Sequence, residues 1–330
     1  MNVSVVVPAF NAAAWIEETL NSVLRQGDGV EVIVIDDHSG DKSADIARTF
    51  LERNAVTGTV LTTDKNRGPS HARNLGWQHA TAEWIQFLDA DDLLAPGKLD
   101  MQHAVAASAA DDVAVLYSPW QRIGLFNDRW SPTGPVVRSD VDGETVPRIL
   151  ADRIFGYVGP TLIRRRALEA SGGFASEMTL GEDFDLMLRL AMSGFAFRSV
   201  SSPEPMFFYR DTPASLWQRS AIDPSAVMRL MLAVRDAENY LQRSGAPTST
   251  STKQAIAARY TERLDILHDH DLSDFDQVVK WISDLHLRTA PPGSRPSARL
   301  LAMTAGLSNA LRLQFGIRRA LRSLQGVHTK

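Results

Sequence analysis

Short hydrophobic runs alternate with amphipathic segments through the first 120 residues of the chain. Five of these runs, rich in β-branched or aromatic residues, predict strands at 3–7, 30–35, 59–62, 84–88 and 113–117, the first two of them buried. Apolar residues at helical spacing follow the first three runs, and Pro96 begins a further helix after the fourth. This alternation predicts an α/β fold with a doubly wound, mostly parallel sheet flanked by helices. Ligands are expected at the carboxyl ends of such strands.

The pattern changes in the second half of the chain. Residues 127–147 are rich in Pro, Gly and polar side chains, which predicts an irregular excursion over the strand ends. Beyond it the spacing predicts two helices, an extended segment and then helices only, at 164–173, 182–193, 196–209, 225–243, 253–268 and 274–285. We therefore predict an α/β domain at 1–217 and a helical C-terminal extension at 218–330.

Composition narrows the class of protein. The net charge of −4 argues against a nucleic-acid-binding protein, which would normally be basic. The chain has no cysteine, so disulfides and thiolate metal sites are excluded. We recognise no secretory signal, and no apolar run approaches the length of a membrane span. We expect a cytoplasmic protein, either soluble or attached peripherally to a membrane.

One predicted strand ends abruptly in three carboxylates, Asp89, Asp91 and Asp92. Carboxylates packed this closely repel one another unless a cation lies between them, and nothing in the segment is basic enough to neutralise them. Hard divalent cations such as Mg²⁺ or Mn²⁺ take oxygen ligands and keep positions open for the phosphate oxygens of a substrate. The alternative is an acidic turn followed by a helix cap, both common places for Asp.

Distinctive segments occur in a fixed order along the chain, at 3–11 (VSVVVPAFN), 34–41 (VIDDHSGD), 66–76 (NRGPSHARNLG), 87–92 (FLDADD), 172–174 (GGF), 181–189 (GEDFDLMLR) and 208–210 (FYR). Together they resemble the motifs of the family 2 glycosyltransferases, over residues 1 to about 217. The resemblance implies a GT-A type fold with a nucleotide-sugar-binding half at 1–120 and an acceptor half at 121–217. It also implies a metal-dependent, inverting enzyme that moves a sugar from a nucleotide diphosphate sugar, by default UDP-linked, to a hydroxyl of a saccharide or lipid-linked saccharide acceptor.

The resemblance places the donor site at several strand ends. Contacts with the nucleotide sugar are implied for Pro8, Ala9, Phe10, Asn11, Asp37, Asn66, Arg73 and Asp89. Phe10 offers an aromatic face to a pyrimidine ring, and Asp37 is expected to accept the imide N–H of the base. Asn11 is also placed to cap the following helix. Arg73 is expected to meet a phosphate or the acidic cluster, with a solvent-exposed ion pair as the alternative.

The metal and catalytic roles are likewise implied by the resemblance. Asp91 is the firmest ligand of a divalent cation, Mn²⁺ or Mg²⁺; Asp89 reaches the metal, the ribose or the donor sugar, and Asp92 is a second ligand or a helix cap. Asp183 is the implied base that takes the acceptor proton, with support from Glu182. The alternative for both is an acidic first turn that favours the helix dipole. Acceptor contacts are expected from Tyr209, Arg210 and Trp217.

Three other functions compete with this interpretation. A nicotinamide dehydrogenase should carry Gly-x-Gly-x-x-Gly after its first strand, and residues 8–14 contain no glycine. A sugar nucleotidyltransferase would usually carry a glycine-rich, basic phosphate loop at the same place, which is also absent. A non-catalytic saccharide- or lipid-binding relative remains an alternative, although the intact Asp91 and Asp183 argue against it. The sequence leaves a homo-oligomer open.

Two features of the C-terminal region fall outside the resemblance. Residues 268–271 alternate His and Asp, but we expect a solvated helix end there and not a metal site. Residues 297–324 have apolar positions, among them Leu300, Ala310 and Leu311, opposite a face of arginines. Such a helix suits an anionic membrane surface. The alternative is that its apolar face packs on the rest of the protein or on a second subunit.

Overall fold

The computed structural model describes residues 2–127, 129–138, 142, 145–151, 157–212, 223–245, 248–270, 272–287, 309–312 and 315. The chain divides into two compact units, Met1–Ser215 and Leu216–Lys330. The sequence predicted a boundary after residue 217, close to this division. The first unit holds all of the described strands, and the described part of the second unit is helical.

A seven-stranded sheet forms the centre of the first unit. Its strands are β1 (Val3–Ala9), β2 (Val30–Asp36), β3 (Gly58–Thr62), β4 (Trp84–Phe87), β6 (Val113–Tyr117), β9 (Thr161–Arg164) and β10 (Ala196–Ser199). They lie in the order β10-β6-β9-β4-β1-β2-β3. All neighbouring pairs are parallel except those of β9, which is antiparallel to β4 and to β6. The predicted mostly parallel α/β sheet and its first five strands are confirmed, and β3 is an edge strand with exposed positions.

Helices pack around this sheet: α1 (Ile16–Leu24), α2 (Ser43–Arg53), α3 (Pro69–His79), α4 (Lys98–Ser108), α5 (Thr145–Ala151), α6 (Arg165–Ser171) and α7 (Glu182–Met192). Helix α3 begins with Pro69 in its first turn, directly after Gly68 with a φ of 87° that favours glycine. The helix lies very close to β1, because a Cβ atom added at Gly76 would stand 2.2 Å from Cγ1 of Val6. This close packing carries Arg73 of the same helix to the strand ends.

Strand β9 corrects the predicted organisation of the first unit. Residue 164 was predicted to begin a helix, but Arg164 ends β9 and α6 begins at Arg165. Because β9 lies between β4 and β6, a strand from the predicted acceptor half is inserted into the sheet of the predicted donor half. The two predicted halves therefore share one sheet, and their assignment to donor and acceptor stays a prediction.

A second, four-stranded sheet takes up only residues 129–132 of the irregular excursion predicted at 127–147. Its strands are β5 (Leu93–Leu94), β7 (Trp120–Phe126), β8 (Arg129–Pro132) and β11 (Phe207–Arg210), in the order β5-β11-β7-β8. The polar and proline-rich composition that suggested a loop has a structural reason. Strand β8 is an edge strand with no buried residue, and it ends at Pro132.

Four helices make up the described core of the second unit: α8 (Pro224–Arg243), α9 (Thr250–Thr261), α10 (Leu264–His270) and α11 (Leu272–Asp284). The side chain of Asp223 caps α8 by accepting from the backbone N–H of Ser225. The helix predicted at 253–268 is divided into two, because Arg263 adopts a left-handed conformation with a φ of 59°. Buried Glu238 accepts from the hydroxyl of Tyr260 at 2.7 Å and joins α8 to α9.

The C-terminal region differs from the sequence prediction at His268. Its ring is buried, with its centroid 4.9 Å from that of Phe275 and 5.4 Å from that of Phe315. The predicted solvated helix end is therefore wrong at this residue, since aromatic packing encloses the imidazole.

Most of the predicted amphipathic segment at 297–324 lies outside the described residues. Of those described, Ala310 and Leu311 are buried, and Arg312 forms an ion pair with Asp276. These observations favour the packing alternative at this point, and the membrane contact stays a prediction. No helix in the described part of the chain is both long enough and apolar enough to cross a bilayer.

Candidate active site

The turn after β1 forms one wall of the candidate site. Parallel strands place their carboxyl ends at one edge of the sheet, so residues 8–11 lie beside the end of β2. The N–H of Asp37 donates to the carbonyl of Ala9 at 2.8 Å, and Pro8 is half-buried beside it. Phe10 is 47% exposed, which leaves its ring accessible to a ligand. The predicted contacts of these residues with a nucleotide sugar stay predictions.

Asn11 does not cap α1 as predicted. The helix begins at Ile16, and the Asn11 side chain instead accepts from the backbone N–H of Gly40 at 2.8 Å. Its φ of 50° turns the chain sharply, a conformation that Asn tolerates better than most residues. Asn11 thus ties the turn after β1 to the loop after β2, two segments that the resemblance assigned to the donor site.

Asp37 is buried and holds the loop that leads into α3. Its carboxylate accepts from the hydroxyl of Thr63 at 2.9 Å, and from the backbone N–H groups of Arg67 at 3.0 Å and of Gly68 at 2.7 Å. Sequence reasoning did not identify these contacts, because they join residues about 30 positions apart through the fold. The predicted contact of Asp37 with a base stays a prediction, as does that of Asn66, which is exposed on the same loop.

Arg73 lies at the centre of the candidate site. It is only 3% exposed, and its guanidinium reaches Oδ1 of Asp89 at 2.8 Å, Oε1 of Glu182 at 3.2 Å and Oδ1 of Asp183 at 3.5 Å. Burial alone would lower the pKa of Arg73, but the three carboxylates outweigh it and the net pKa is raised. Arg73 therefore contacts the acidic cluster as predicted. The alternative prediction, a solvent-exposed ion pair, is wrong.

Asp183 occupies the first turn of α7 and is almost completely buried. Oδ2 accepts from the backbone N–H of Val158 at 2.9 Å, while Oδ1 is buried and accepts no hydrogen bond from the described residues. Burial raises the pKa of Asp183, Arg73 lowers it, and the neighbouring Glu182 and Asp89 raise it again, to a net value of about 7. A carboxylate with a pKa near neutrality is suited to take and release a proton.

The sequence around the 89–92 segment offers no basic partner, but the fold brings one ion pair and two hydrogen bonds to it, while burial and the neighbouring carboxylates still raise the pKa of Asp91 and of Asp92. Arg73 pairs with Asp89, and the backbone N–H of Arg210 donates to Oδ1 of Asp92 at 2.8 Å. Oδ2 of Asp91 accepts from the hydroxyl of Thr212 at 2.9 Å. The sequence prediction missed these groups because they come from α3 and from the end of β11, far away along the chain.

Arg210 is buried below the 89–92 segment and not at an acceptor-facing surface. Its guanidinium donates to the backbone carbonyl of Asp91 and to Glu18, and it lies over the rings of Trp15 and Trp130, at 5.4 Å and 5.2 Å. The predicted acceptor contact of Arg210 therefore gives way to a positioning role, since a guanidinium enclosed in this way holds the segment from behind.

The carboxylates present can accommodate a hard divalent cation, but only with help from a substrate. In the described part of the chain, no three Asp, Glu or His side chains converge to enclose a metal ion. Oδ1 of Asp91 and Oδ2 of Asp89 accept no hydrogen bond from described residues, and the Asp89 side chain is partly exposed. One or two open carboxylate oxygens fit Mg²⁺ or Mn²⁺, which complete their coordination with phosphate oxygens and water.

An aromatic cluster borders the acidic groups on the predicted acceptor side. The ring of Tyr157 lies 4.9 Å from that of Trp120 and 5.1 Å from that of Tyr209, and the Arg122 guanidinium stands 5.1 Å from the Tyr209 ring. Sequence reasoning named Tyr209 but missed Tyr157, which immediately precedes the Val158 amide that binds Asp183. Trp217, the third predicted acceptor residue, lies outside the described residues.

Comparison with known proteins identifies the class. The family model described as "Glycosyl transferase family 2" matches residues 4–172, about half of the chain, and the chain belongs to that family. The succinoglycan biosynthesis protein ExoU of Rhizobium meliloti (strain 1021) is 33% identical over 215 residues, which cover 61% of this chain and 60% of that protein. The chain therefore spans less than two thirds of this relative's length. The resemblance drawn from the sequence motifs is confirmed: the chain contains a family 2 glycosyltransferase domain.

Solved structures share the fold. TarS of S. aureus in complex with UDP-GlcNAc has a TM-score of 0.65 and 18% identity, over 100% of this chain and 93% of that one. The mannosyltransferase PcManGT of Pyrobaculum calidifontis, in complex with GDP-Man and Mn²⁺, has a TM-score of 0.55 and 20% identity, over 99% and 88% of the two chains. At these identities the likeness shows the fold alone, and it confirms the predicted GT-A type architecture.

Proposed function

We propose that this glycosyltransferase transfers a sugar, with inversion, from a nucleotide diphosphate sugar to an acceptor hydroxyl, with Asp183 as the base. The observation that carries the proposal is the meeting of Asp183, Arg73 and Asp89 at one point. It brings a proton acceptor with a pKa of about 7 next to the strand end that we propose meets a phosphate-bearing donor. Transfer needs both the base and the donor-binding strand end, because the acceptor must be deprotonated and the leaving diphosphate must be stabilised.

The donor side of the proposal rests on exposed and open groups. The accessible Phe10 ring can stack on a base, and the carboxylates of Asp91 and Asp89 would hold a divalent cation. When bound, the cation supplies positive charge to the departing diphosphate. A uridine diphosphate sugar is our proposed donor, which agrees with the UDP-GlcNAc named in the TarS complex.

The proton has a defined destination in this proposal. The acceptor oxygen forms a bond to the anomeric carbon while the bond from that carbon to the diphosphate oxygen breaks. The hydroxyl proton passes to Oδ1 of Asp183, the carboxylate oxygen that accepts no hydrogen bond from the described residues. Arg73 keeps Asp183 partly ionised at neutral pH, because its positive charge lowers a pKa that burial would raise further. Attack on the face opposite the leaving group inverts the anomeric configuration.

The proposed acceptor is a saccharide or a lipid-linked saccharide in polysaccharide or glycan assembly. The similarity to a succinoglycan biosynthesis protein supports this class. The Trp120, Tyr157 and Tyr209 cluster next to Asp183 supports it as well, since aromatic side chains present apolar faces and hydroxyl groups of the kind that pack on sugar rings.

Ligand-induced stabilisation is the direct test of the donor proposal. A ligand that binds only the folded chain raises its stability by RT ln(1 + [L]/Kd), so a panel of nucleotide diphosphate sugars can be ranked by melting temperature with and without Mn²⁺. We expect uridine diphosphate sugars to stabilise the protein, and more so with Mn²⁺. Stabilised donors are then tested for transfer to saccharide acceptors. Absence of stabilisation by every nucleotide sugar in the presence of Mn²⁺ would contradict the proposal.

A further inference from the structure

Lys98 is an ammonium-bearing side chain enclosed completely within the first unit. It is 0% exposed, and no carboxylate forms an ion pair with it among the described residues. Its Nζ donates to Oε1 of Gln86 on β4 and to Oε1 of Gln102 one turn along α4, at 2.7 Å for the latter. Burial lowers the pKa of Lys98 well below its usual range. A buried amine without an acidic partner costs stability, so its position calls for an explanation in function.

The lysine fixes the orientation of both glutamine amides. A lysine side chain donates hydrogen bonds, so the two amide oxygens turn towards it and the two NH₂ groups turn away. The Nε2 of Gln86 then donates to the carbonyl of Gly159 at 2.7 Å, and the Nε2 of Gln102 donates to the carbonyl of Pro160 at 3.2 Å. Both carbonyls belong to one turn, residues 158–160, immediately before β9.

The 158–160 turn also binds the Asp183 carboxylate. Among the described residues, the N–H of Val158 is the only backbone amide that does so. The N–H of Val158 donates to Oδ2 of Asp183 at 2.9 Å. This bond lowers the pKa of Asp183 and fixes the direction of Oδ1, the oxygen that faces away from it. The charged groups that face Asp183 are Arg73 from α3, Glu182 from its own helix and Asp89 from the end of β4, and the titratable hydroxyl of Tyr157 interacts with it electrostatically.

We propose that Lys98, Gln86 and Gln102 form a positioning network that holds the Val158 amide against Asp183 and so sets the direction and proton affinity of the base. The inference rests on the proposed role of Asp183 in transfer. It assigns no contact with substrate to the three residues, which act only through the 158–160 turn. Their substitution should therefore change the ionisation of Asp183 and leave the donor site intact.

The test compares Lys98→Met and Gln102→Met with Gln26→Met. Gln26 is an equally buried glutamine that donates to the carbonyl of Ala95 at 2.9 Å and accepts from the N–H of Leu99, but it does not touch the 158–160 turn. The pKa of the Asp183 carboxyl is followed by ¹³C NMR titration, and its signal is identified by its loss in Asp183→Asn. Transfer rates against pH and the Kd of uridine diphosphate with Mn²⁺ are measured on the same proteins.

We expect both network variants to raise the pKa of Asp183 by about one pH unit, which corresponds to the loss of one hydrogen bond to a carboxylate. The acid limb of the pH–rate profile should move in the same direction, and uridine diphosphate affinity should change by less than about twofold. Gln26→Met should leave both the pKa of Asp183 and the acid limb of the pH–rate profile unchanged, whatever its effect on melting temperature.

An unchanged Asp183 pKa in both network variants, or an equal shift in Gln26→Met, would overturn the inference. If one network variant does not fold, the other decides the question by the same titration. The NMR titration is independent of turnover, so a failure of the proposed function, seen as absence of transfer by the unmodified chain, is distinguishable from a failure of the network.

Discussion

Arg73 and Asp183 are 110 residues apart along the chain, yet Nη1 of the arginine lies 3.5 Å from Oδ1 of the aspartate. The same guanidinium reaches Asp89 at 2.8 Å through its other terminal nitrogen. The buried Arg73 guanidinium therefore contacts both Asp89, at the strand end proposed to bind the donor, and Asp183, the carboxylate proposed to deprotonate the acceptor. The arrangement couples the two sides of the site, because a change at either carboxylate alters the field at the other.

Removal of this cation should affect both stability and base strength. Arg73→Met is expected to lower the free energy of unfolding by about 3–5 kcal/mol, since it leaves buried carboxylates without a partner. The pKa of Asp183 should rise as well, because Arg73 lowers it in the wild-type chain. Urea unfolding monitored by circular dichroism measures the first effect. Arg53→Met, which breaks an exposed pair with Glu17, is the control and should cost no more than about 1 kcal/mol. Equal losses in the two variants would refute the central role of Arg73.

Transfer should depend on pH through Asp183. Burial raises the pKa of this carboxyl to about 7, so the protonated form predominates below that pH. Only the deprotonated form can take the acceptor proton, so kcat/KM should be level above about pH 7 and fall about tenfold per pH unit well below it. The test is to measure kcat/KM from pH 5 to 9 at a fixed donor concentration. A flat profile down to pH 5 would show that no group with this pKa acts as the base.

The carboxylate of Asp91 should be needed for cation-dependent donor binding. Asp91→Asn retains an oxygen for the Thr212 hydroxyl but loses the negative charge that attracts a divalent ion. We expect uridine diphosphate to bind more weakly in the presence of Mn²⁺, with turnover abolished, while the melting temperature without ligand stays similar. Isothermal titration calorimetry gives the affinity, and the exposed Asp112→Asn is the control. Full wild-type activity of the unmodified chain in excess chelator would exclude the cation from the mechanism.

The C-terminal segment should contribute to the stability of the second unit. Phe315 is buried against His268 and Phe275, so Phe315→Ala is expected to lower the free energy of unfolding by about 3–5 kcal/mol. Leu272→Ala, at a half-exposed position of the same unit, should cost much less. Thermal unfolding of the two variants measures the difference, and similar melting temperatures would contradict the packing of Phe315.

Liposome co-sedimentation tests the membrane alternative for the same segment. The full chain and a form ending at Pro296 are compared on anionic vesicles at low salt, where each basic residue near the surface contributes about 1 kcal/mol. Packing of the segment on the protein predicts equal sedimentation of the two forms. Binding by the full chain alone would establish the membrane contact that the sequence pattern suggested.

The elements that depend on local pattern could be predicted from the sequence. β-Branched and aromatic runs located the first five strands, and the Asp89–Asp92 and Glu182–Asp183 segments were proposed as functional because the order of the motifs resembles a known family. Strand β9 was missed because four residues next to an arginine-rich helix start carry too little periodicity to distinguish a strand from a helix end.

The contacts that decide the chemistry could not be predicted, because they join distant parts of the chain. The sequence around Asp89–Asp92 shows no basic residue, yet the fold pairs Arg73 with Asp89 and brings the Arg210 charge close enough to offset part of the rise in the pKa of Asp91 and Asp92. The Val158 amide offered no signal at all, since any non-proline residue carries the same N–H group. Burial, which gives Asp183 its raised pKa, is likewise a property of the packed structure.

The proposed transfer mechanism depends most on Asp183, and Asp183→Asn tests that role most directly. The amide keeps the shape and an oxygen for the Val158 N–H but cannot take the proton. The decisive measurement is the transfer rate of this variant beside its uridine diphosphate affinity, with Asp185→Asn on the same helix as the control. We predict that affinity changes by less than about twofold while transfer falls by about 10²–10⁴. Near-normal transfer by Asp183→Asn would contradict the assignment of the base, and loss of donor binding would move Asp183 to the donor site.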